Sequence, residues 1–353
     1  MKIIYKTLIL FFISSVAYSQ ANCDKNLNDA RSDYANGNLY AIPGKLTDCL
    51  NNGFDKAERI EAYQLLALTY ININQLDKAR ESLIKLLKIK SDYTVTKNVA
   101  PDELYSLYKK IDTDPIYYLG TGVGINFTFP FLPDSSNRST TNSNPGVENY
   151  NYSPTSSFSA GVQFIYPVYK FLHAKAFLSY DVNKYKYSQT ATAFNSSENV
   201  TITDYTGTNA GINLILSGRI MSEEKKYGVL KPFFEVGLIT RFHLNSFIND
   251  YEDLNTKKGQ SQSFLATGLK MNTFRRDMNM GINLQLGSMI KFQENYLEVS
   301  FGASYYGLPE AKNTDSDGSR LTVANATTVI EDRYNKIVLN FTVNFNVPFY
   351  NFE

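Results

Sequence analysis

The clearest pattern lies at the end of the chain. Ile337, Leu339, Phe341, Val343, Phe345, Val347 and Phe349 alternate with Asn340, Thr342, Asn344 and Asn346. Period-two alternation marks a strand whose two faces meet different surroundings. The run over residues 337–349 exceeds the usual soluble strand of about 5–6 residues. It reaches the roughly 9–11 residues that a tilted strand needs to cross a bilayer. Seven further segments repeat the pattern, around residues 119–129, 158–166, 172–183, 210–220, 234–244, 278–291 and 297–305. In these, residues such as Val123, Val162, Leu178, Leu216, Leu238, Leu284 and Phe301 alternate with Gly, Ser, Asn and single charges.

The connections alternate as well. Short ones are expected around Pro167–Tyr169, Ser222–Gly228 and Gln293–Asn295, and long polar ones at 132–156, 188–205, 249–275 and 308–334. Short turns on one side and long loops on the other characterise outer-membrane barrels. Eight strands bring both barrel ends to the same side, and closure removes exposed sheet edges. A lipocalin-like soluble barrel would reverse the faces. It fits poorly, because the polar phase is rich in Gly, Ser and Asn and poor in long charged side chains.

Residues 23–112 follow a different period. Ala62, Tyr63, Leu65, Leu66 and Tyr70, then Leu76, Ala79, Leu83, Leu86 and Leu87, fall at helical spacing on either side of Asn72-Ile-Asn. Helix, turn and helix over about 34 residues resemble a tetratricopeptide repeat, with Ala67 and Tyr70 in its first helix and Ala79 and Leu83 in its second. Ala30 to Leu39, followed by Leu46 and Leu50, resemble a second copy, which departs from the pattern at Pro43-Gly44. A closing helix is expected at Pro101–Tyr108. Two repeats are fewer than a stable array needs, so a disulfide between Cys23 and Cys49 is expected to compensate, by about 3 kcal/mol in the chain-entropy model.

The first residues set the compartment. Lys2 and Lys6 precede the apolar stretch Thr7–Val16, and Ala17-Tyr18-Ser19 supplies small residues at the −3 and −1 positions. This is the layout of a cleavable export signal, with the cut expected after Ser19. Cys23 lacks the preceding residues of a lipidation site. An exported chain can keep its disulfide.

Composition narrows the function. With 35 Lys and Arg against 34 Asp and Glu, there is no basic surplus to hold a nucleic acid. Two Cys and two His give little scope for a structural zinc site. Gly120-x-Gly122-x-Gly124 has a spacing of two and reads as inward-facing glycine, not a nucleotide loop. Asn313–Gly318 begins like a calcium loop but has Ala324 where the final acid belongs. The Asn-x-Ser/Thr sites at Asn137, Asn195, Asn199 and Asn325 read as plain polar loops. His173 and His243 fall toward opposite ends of the barrel, so no catalytic constellation, metal site or cofactor is expected, and the chain does not read as an enzyme.

The inward phase carries Lys175, Asp181, Arg219, Glu235, Arg241, Lys291 and Glu298. Charges of both signs in a narrow barrel must pair, because unpaired burial is costly. Eight strands leave room for side chains but not for a wide channel.

The barrel pattern, the aromatic-rich end (Phe341, Phe345, Phe349, Phe352) and the exported start resemble the outer-membrane β-barrel domain family of Gram-negative envelopes. Within it, the chain is most similar to the PorT-type barrels associated with gliding and type IX secretion. The resemblance implies an accessory subunit of a secretion or motility complex. The fold expected is α+β in two parts: an export signal (1–19), a periplasmic tetratricopeptide-like helical domain (20–112) and an eight-stranded antiparallel transmembrane barrel (113–353). The function expected is that of an adaptor, seated in outer-membrane lipid, whose helices dock another periplasmic or outer-membrane protein around Tyr63, Ala67 and Tyr70. The alternative is a surface receptor or adhesin that binds through its long outer loops.

Overall fold

The computed structural model describes residues 22–97, 100–131, 148–192, 200–222, 229–257, 260–272, 275–310, 320–323, 327–330 and 334–352. The expected export signal, calcium-like loop and Asn-x-Ser/Thr sites lie outside them. The chain divides into two compact units: a helical unit of residues 1–115 and 350–353, and a barrel of residues 116–349.

In the helical unit, α1 (22–35) and α2 (Ile42–Asn52) are joined by a 3-10 turn, Leu39–Ala41. Pro43 falls in the first turn of α2, where its missing N–H costs no hydrogen bond. Pro43-Gly44, where the repeat pattern departs, is thus a helix start. Helix α3 (Lys56–Asn72) opens with a reciprocal cap: Glu58 N–H donates to Asp55 Oδ1 at 2.8 Å and Asp55 N–H to Glu58 Oε2 at 2.9 Å. Asn74, at φ 56°, makes the tight turn into α4 (Leu76–Ile89); asparagine tolerates this left-handed geometry better than most residues. Helix α5 (Asp102–Tyr108) follows Pro101. A disulfide joins Cys23 to Cys49, tying α1 to α2 with Cα atoms 5.5 Å apart. Both cysteines belong to an apolar cluster with Leu27, Ile42, Leu46 and Leu66. Among the described residues no helix is long and apolar enough to cross a membrane.

The barrel strands are β1 (Tyr117–Phe131), β2 (Glu148–Pro167), β3 (Leu172–Thr192), β4 (Val200–Met221) and β5 (Leu230–Lys257). After the short β6 (Gln260–Ala266) and β7 (Leu269–Lys270) come β8 (Met278–Phe292), β9 (Asn295–Tyr306), a separate hairpin of β10 (Arg320–Val323) and β11 (Thr327–Ile330), and β12 (Asn335–Phe349). Antiparallel pairing runs β1-β2-β3-β4-β5-β8-β9-β12 and returns to β1, closing eight strands into a ring. The seam pairs Tyr117 with Phe349 through to Phe131 with Asn335.

Strand extends into the connections expected as long loops: β3 and β4 stay paired to Thr192↔Val200, and β5 continues to Lys257 and then pairs with β6. Along these extensions Tyr185, Tyr187, Tyr205 and Tyr251 are buried while Lys186 and Ser188 are exposed, so the apolar-outside contrast of the rest of the barrel is lost there. The barrel also ends at Phe349, not at the chain end, because residues 350–352 turn into the helical unit, where Phe352 is buried.

Candidate functional site

Alternation places one phase of every barrel strand outside. Val123, Val162, Leu178, Leu216, Leu238, Leu286 and Phe301 are all exposed, Leu238 at 68%. The opposite phase buries Gln163, Lys175, Asp181, Arg219, Glu235, Arg241, Glu298 and Asn346. The barrel is therefore apolar outside and polar inside, the reverse of a soluble barrel.

Four of the expected interior charges meet in one cluster. Arg219 on β4 donates to Glu235 on β5 from Nε at 3.0 Å and Nη2 at 2.8 Å. It also grips Glu298 on β9, Nη1 to Oε2 at 2.8 Å and Nη2 to Oε1 at 2.9 Å. Lys175 on β3 stands 3.3 Å from Glu235 and 3.7 Å from Glu298. Two cations and two anions balance. Neutral groups take up remaining capacity: Ser217 donates to Glu235 at 2.7 Å, and Gln163, Asn344 and Asn346 donate to Glu298 at 3.3–3.5 Å. Phe233 lies under the Arg219 guanidinium at 3.8 Å. Glycine makes the room. A Cβ on Gly120 would collide with the Asn346 amide, and one on Gly122 with that of Asn344. The Gly-x-Gly-x-Gly run thus serves close packing within a strand.

A second polar cluster lies farther along the strands. Arg241 pairs with Asp181 and donates to the Asn209 carbonyl at 3.1 Å. Lys336 pairs with Glu310 at 2.6 Å. Arg275 donates to Ser246 at 3.0 Å and to the Tyr185 hydroxyl at 3.2 Å. Burial works against the Glu310 carboxylate, yet Lys336 and Arg241 outweigh it and hold the group at about 2. Sequence reading missed Glu310, Arg275 and Lys336. Lys336 sits in the inward phase of the last strand, one residue before the apolar run, which was the available signal. Lys291 stands apart from both clusters, half-buried at the end of β8 opposite Tyr296.

Between the two clusters Phe177, Ile215, Ile239, Tyr306 and Val338 form an apolar layer. A cavity of about 30 Å³ remains beside it, bordered by Ser179, Asp181, Asn213 and Asn340 among others. That is room for water but not for a solute. Tyr118, Ile165, Met221, Phe233, Met289 and Tyr296 fill the end where β1 begins. Six tyrosines, including Tyr185, Tyr205, Tyr251 and Tyr334, gather toward the other end. The stacked layers occupy the bore among the described residues. His173 lies at the start of β3 and His243 beside the second cluster, so the fold does not bring them together.

In the helical unit, the expected docking residues divide. Ala67 has no exposure and belongs to the core between α3 and α4, so its side chain cannot present a surface to a partner. Tyr63 and Tyr70 are half-buried on the flank of α3.

No protein-family model and no curated protein matches the chain. Among solved structures it is similar to Neisserial surface protein A, with TM-score 0.30 and 9% identity, covering 66% of this chain and 97% of that one. For the outer membrane protein OprG of Pseudomonas aeruginosa the values are 0.31, 8%, 67% and 97%. For Ail of Yersinia pestis, solved with the heparin analogue sucrose octasulfate, they are 0.23, 8%, 65% and 97%.

Proposed function

We propose that this chain is a sealed outer-membrane anchor whose tetratricopeptide-like helical unit docks another envelope protein from the periplasmic side. The observation that carries the reading is the barrel interior. Arg219 and Lys175 balance Glu235 and Glu298, Arg241 pairs with Asp181 and Lys336 with Glu310, and apolar and aromatic layers are stacked along the bore, so the barrel fits anchorage better than transport. The exposed apolar phase suits lipid, since an apolar band facing water on this scale would drive association. The Cys23–Cys49 disulfide suits an oxidising compartment. The separate helical unit is then the part available for a partner, and a secretion or gliding assembly is the class of complex that the sequence resemblance favours. The reading is non-enzymatic.

The test is mild-detergent extraction followed by native sizing and identification of co-migrating proteins, for the full chain and for one lacking residues 23–112. A large assembly that needs the helices supports the adaptor. If both versions run alone, each at the size of its own chain, the reading fails and attention moves to the long strands β2–β5.

A further inference from the structure

The end of the chain points to a binding site in the helical unit. Strand β12 finishes at Phe349, whose carbonyl accepts a hydrogen bond from Ile116 N–H at 2.8 Å beside the start of β1. The next three residues belong to the helical unit. There Phe352 is 7% exposed and belongs to one apolar cluster with Ala67, Leu83, Leu87, Leu104 and Leu107. Tyr350 packs on the same cluster and stacks on Phe352, ring centroids 5.3 Å apart and planes within 10°. An aromatic ring from beyond the barrel is thus set among residues of α3, α4 and α5. Ala67 and Ala79, small residues of the same cluster, are both without exposure.

We infer that the helical unit carries a slot for an aromatic-X-aromatic peptide, and that its resident ligand is Tyr350–Phe352 of the same chain. The tether is short, because Tyr350 directly follows the last residue of β12, so the local concentration of the tail far exceeds that of any free peptide. The helices precede the barrel in the sequence, and their core lacks one ring until β12 has paired with β1. Completion of the helical unit is thereby coupled to closure of the barrel seam. This goes beyond the docking reading and stands without it, since it concerns an intramolecular ligand.

The test uses the full chain in lipid nanodiscs, a chain ending at Phe349, and Phe352→Ala. Amide hydrogen exchange reads α4 and α5, and the heat-dependent gel mobility of the barrel reads its closure. Both variants should keep the mobility shift, while amides around Leu83, Leu87 and Leu104 exchange about tenfold or more faster than in the parent. The peptide Tyr-Asn-Phe-Glu added to the shortened chain should restore protection, and Tyr-Asn-Ala-Glu should not. Unchanged exchange in Phe352→Ala with a closed barrel would overturn the proposal. So would loosened helices that the first peptide fails to tighten, since the tail would then be core and not ligand. If the shortened chain does not close, Phe352→Ala decides: its loosened helices should tighten when Tyr-Asn-Phe-Glu is added and not with Tyr-Asn-Ala-Glu, and failure to tighten overturns the proposal.

Discussion

Arg219 and Glu298 meet as a two-point grip, Nη1 to Oε2 at 2.8 Å and Nη2 to Oε1 at 2.9 Å. The same guanidinium also reaches Glu235, so one side chain neutralises two buried carboxylates with help from Lys175. Removing it strands both. Arg219→Ala is expected to cost about 3–5 kcal/mol, the range for breaking a buried pair. Arg219→Lys should recover only part, because an ammonium keeps the charge and loses the planar fork. Urea unfolding of the protein in lipid vesicles measures both; an Arg219→Ala midpoint equal to the parent's would show that the cluster contributes nothing.

The glycines of β1 give a steric test. Gly122→Ala places a methyl against the Asn344 amide and the Val343 carbonyl. The expected loss is about 1–3 kcal/mol, as for overpacking elsewhere. Gly218→Ala, where an added Cβ meets nothing within 4 Å, should lie within about 0.5 kcal/mol of the parent.

Glu310 gives a pH dependence with a definite sign. Its folded-state value of about 2 lies below the ordinary 4.5, so its contribution is complete above the unfolded value. That contribution is lost as pH falls from about 4.5 toward about 2. Glu310→Gln should therefore flatten the acid limb of the unfolding profile in that window. An acid limb of the same slope in both proteins would remove Glu310 from the account.

The disulfide is checked chemically. Alkylation of denatured, unreduced protein should leave Cys23 and Cys49 unlabelled. A Cys49→Ser chain should lose about 2–4 kcal/mol in the helical unit, seen as faster proteolysis of residues 22–112 beside an unchanged barrel. Full labelling of the parent would contradict the bond.

Filled layers predict electrical silence. Purified protein in planar bilayers should give no steady conductance at high protein load. Reproducible openings at the level of an aqueous pore would mean that the interior rearranges, and the sealed-anchor reading would fail.

Much of this was legible along the chain, for a physical reason. Where one strand face meets apolar surroundings and the other a packed polar interior, residues such as Leu238 and Arg241 must fall on opposite phases, and the alternation records it. Lys175, Arg219, Glu235 and Glu298 were identifiable as inward-facing in this way. Their pairing was not, because Gln163 and Asn346 come together across 183 positions of sequence through a register that no local pattern encodes. Residues 188–192 and 249–257 are rich in Ser, Gln, Thr, Asn and Asp, carry no apolar alternation and so read as loops, and Glu310 and Arg275 were passed over with their connections. Phe352 looked like the last beat of a strand because an aromatic ring suits a barrel wall and a helical core equally well.

The two passages of the chain between barrel and helices have a mechanical consequence. Any pull on the helical unit enters the barrel at Ile116 and Phe349 together, at the same end of neighbouring strands. The load is then shared by β1 and β12, which are paired with each other along their length, where a single tether would place it on one strand. The chain thus joins its two units by two cables, and parting them means breaking both attachments at once.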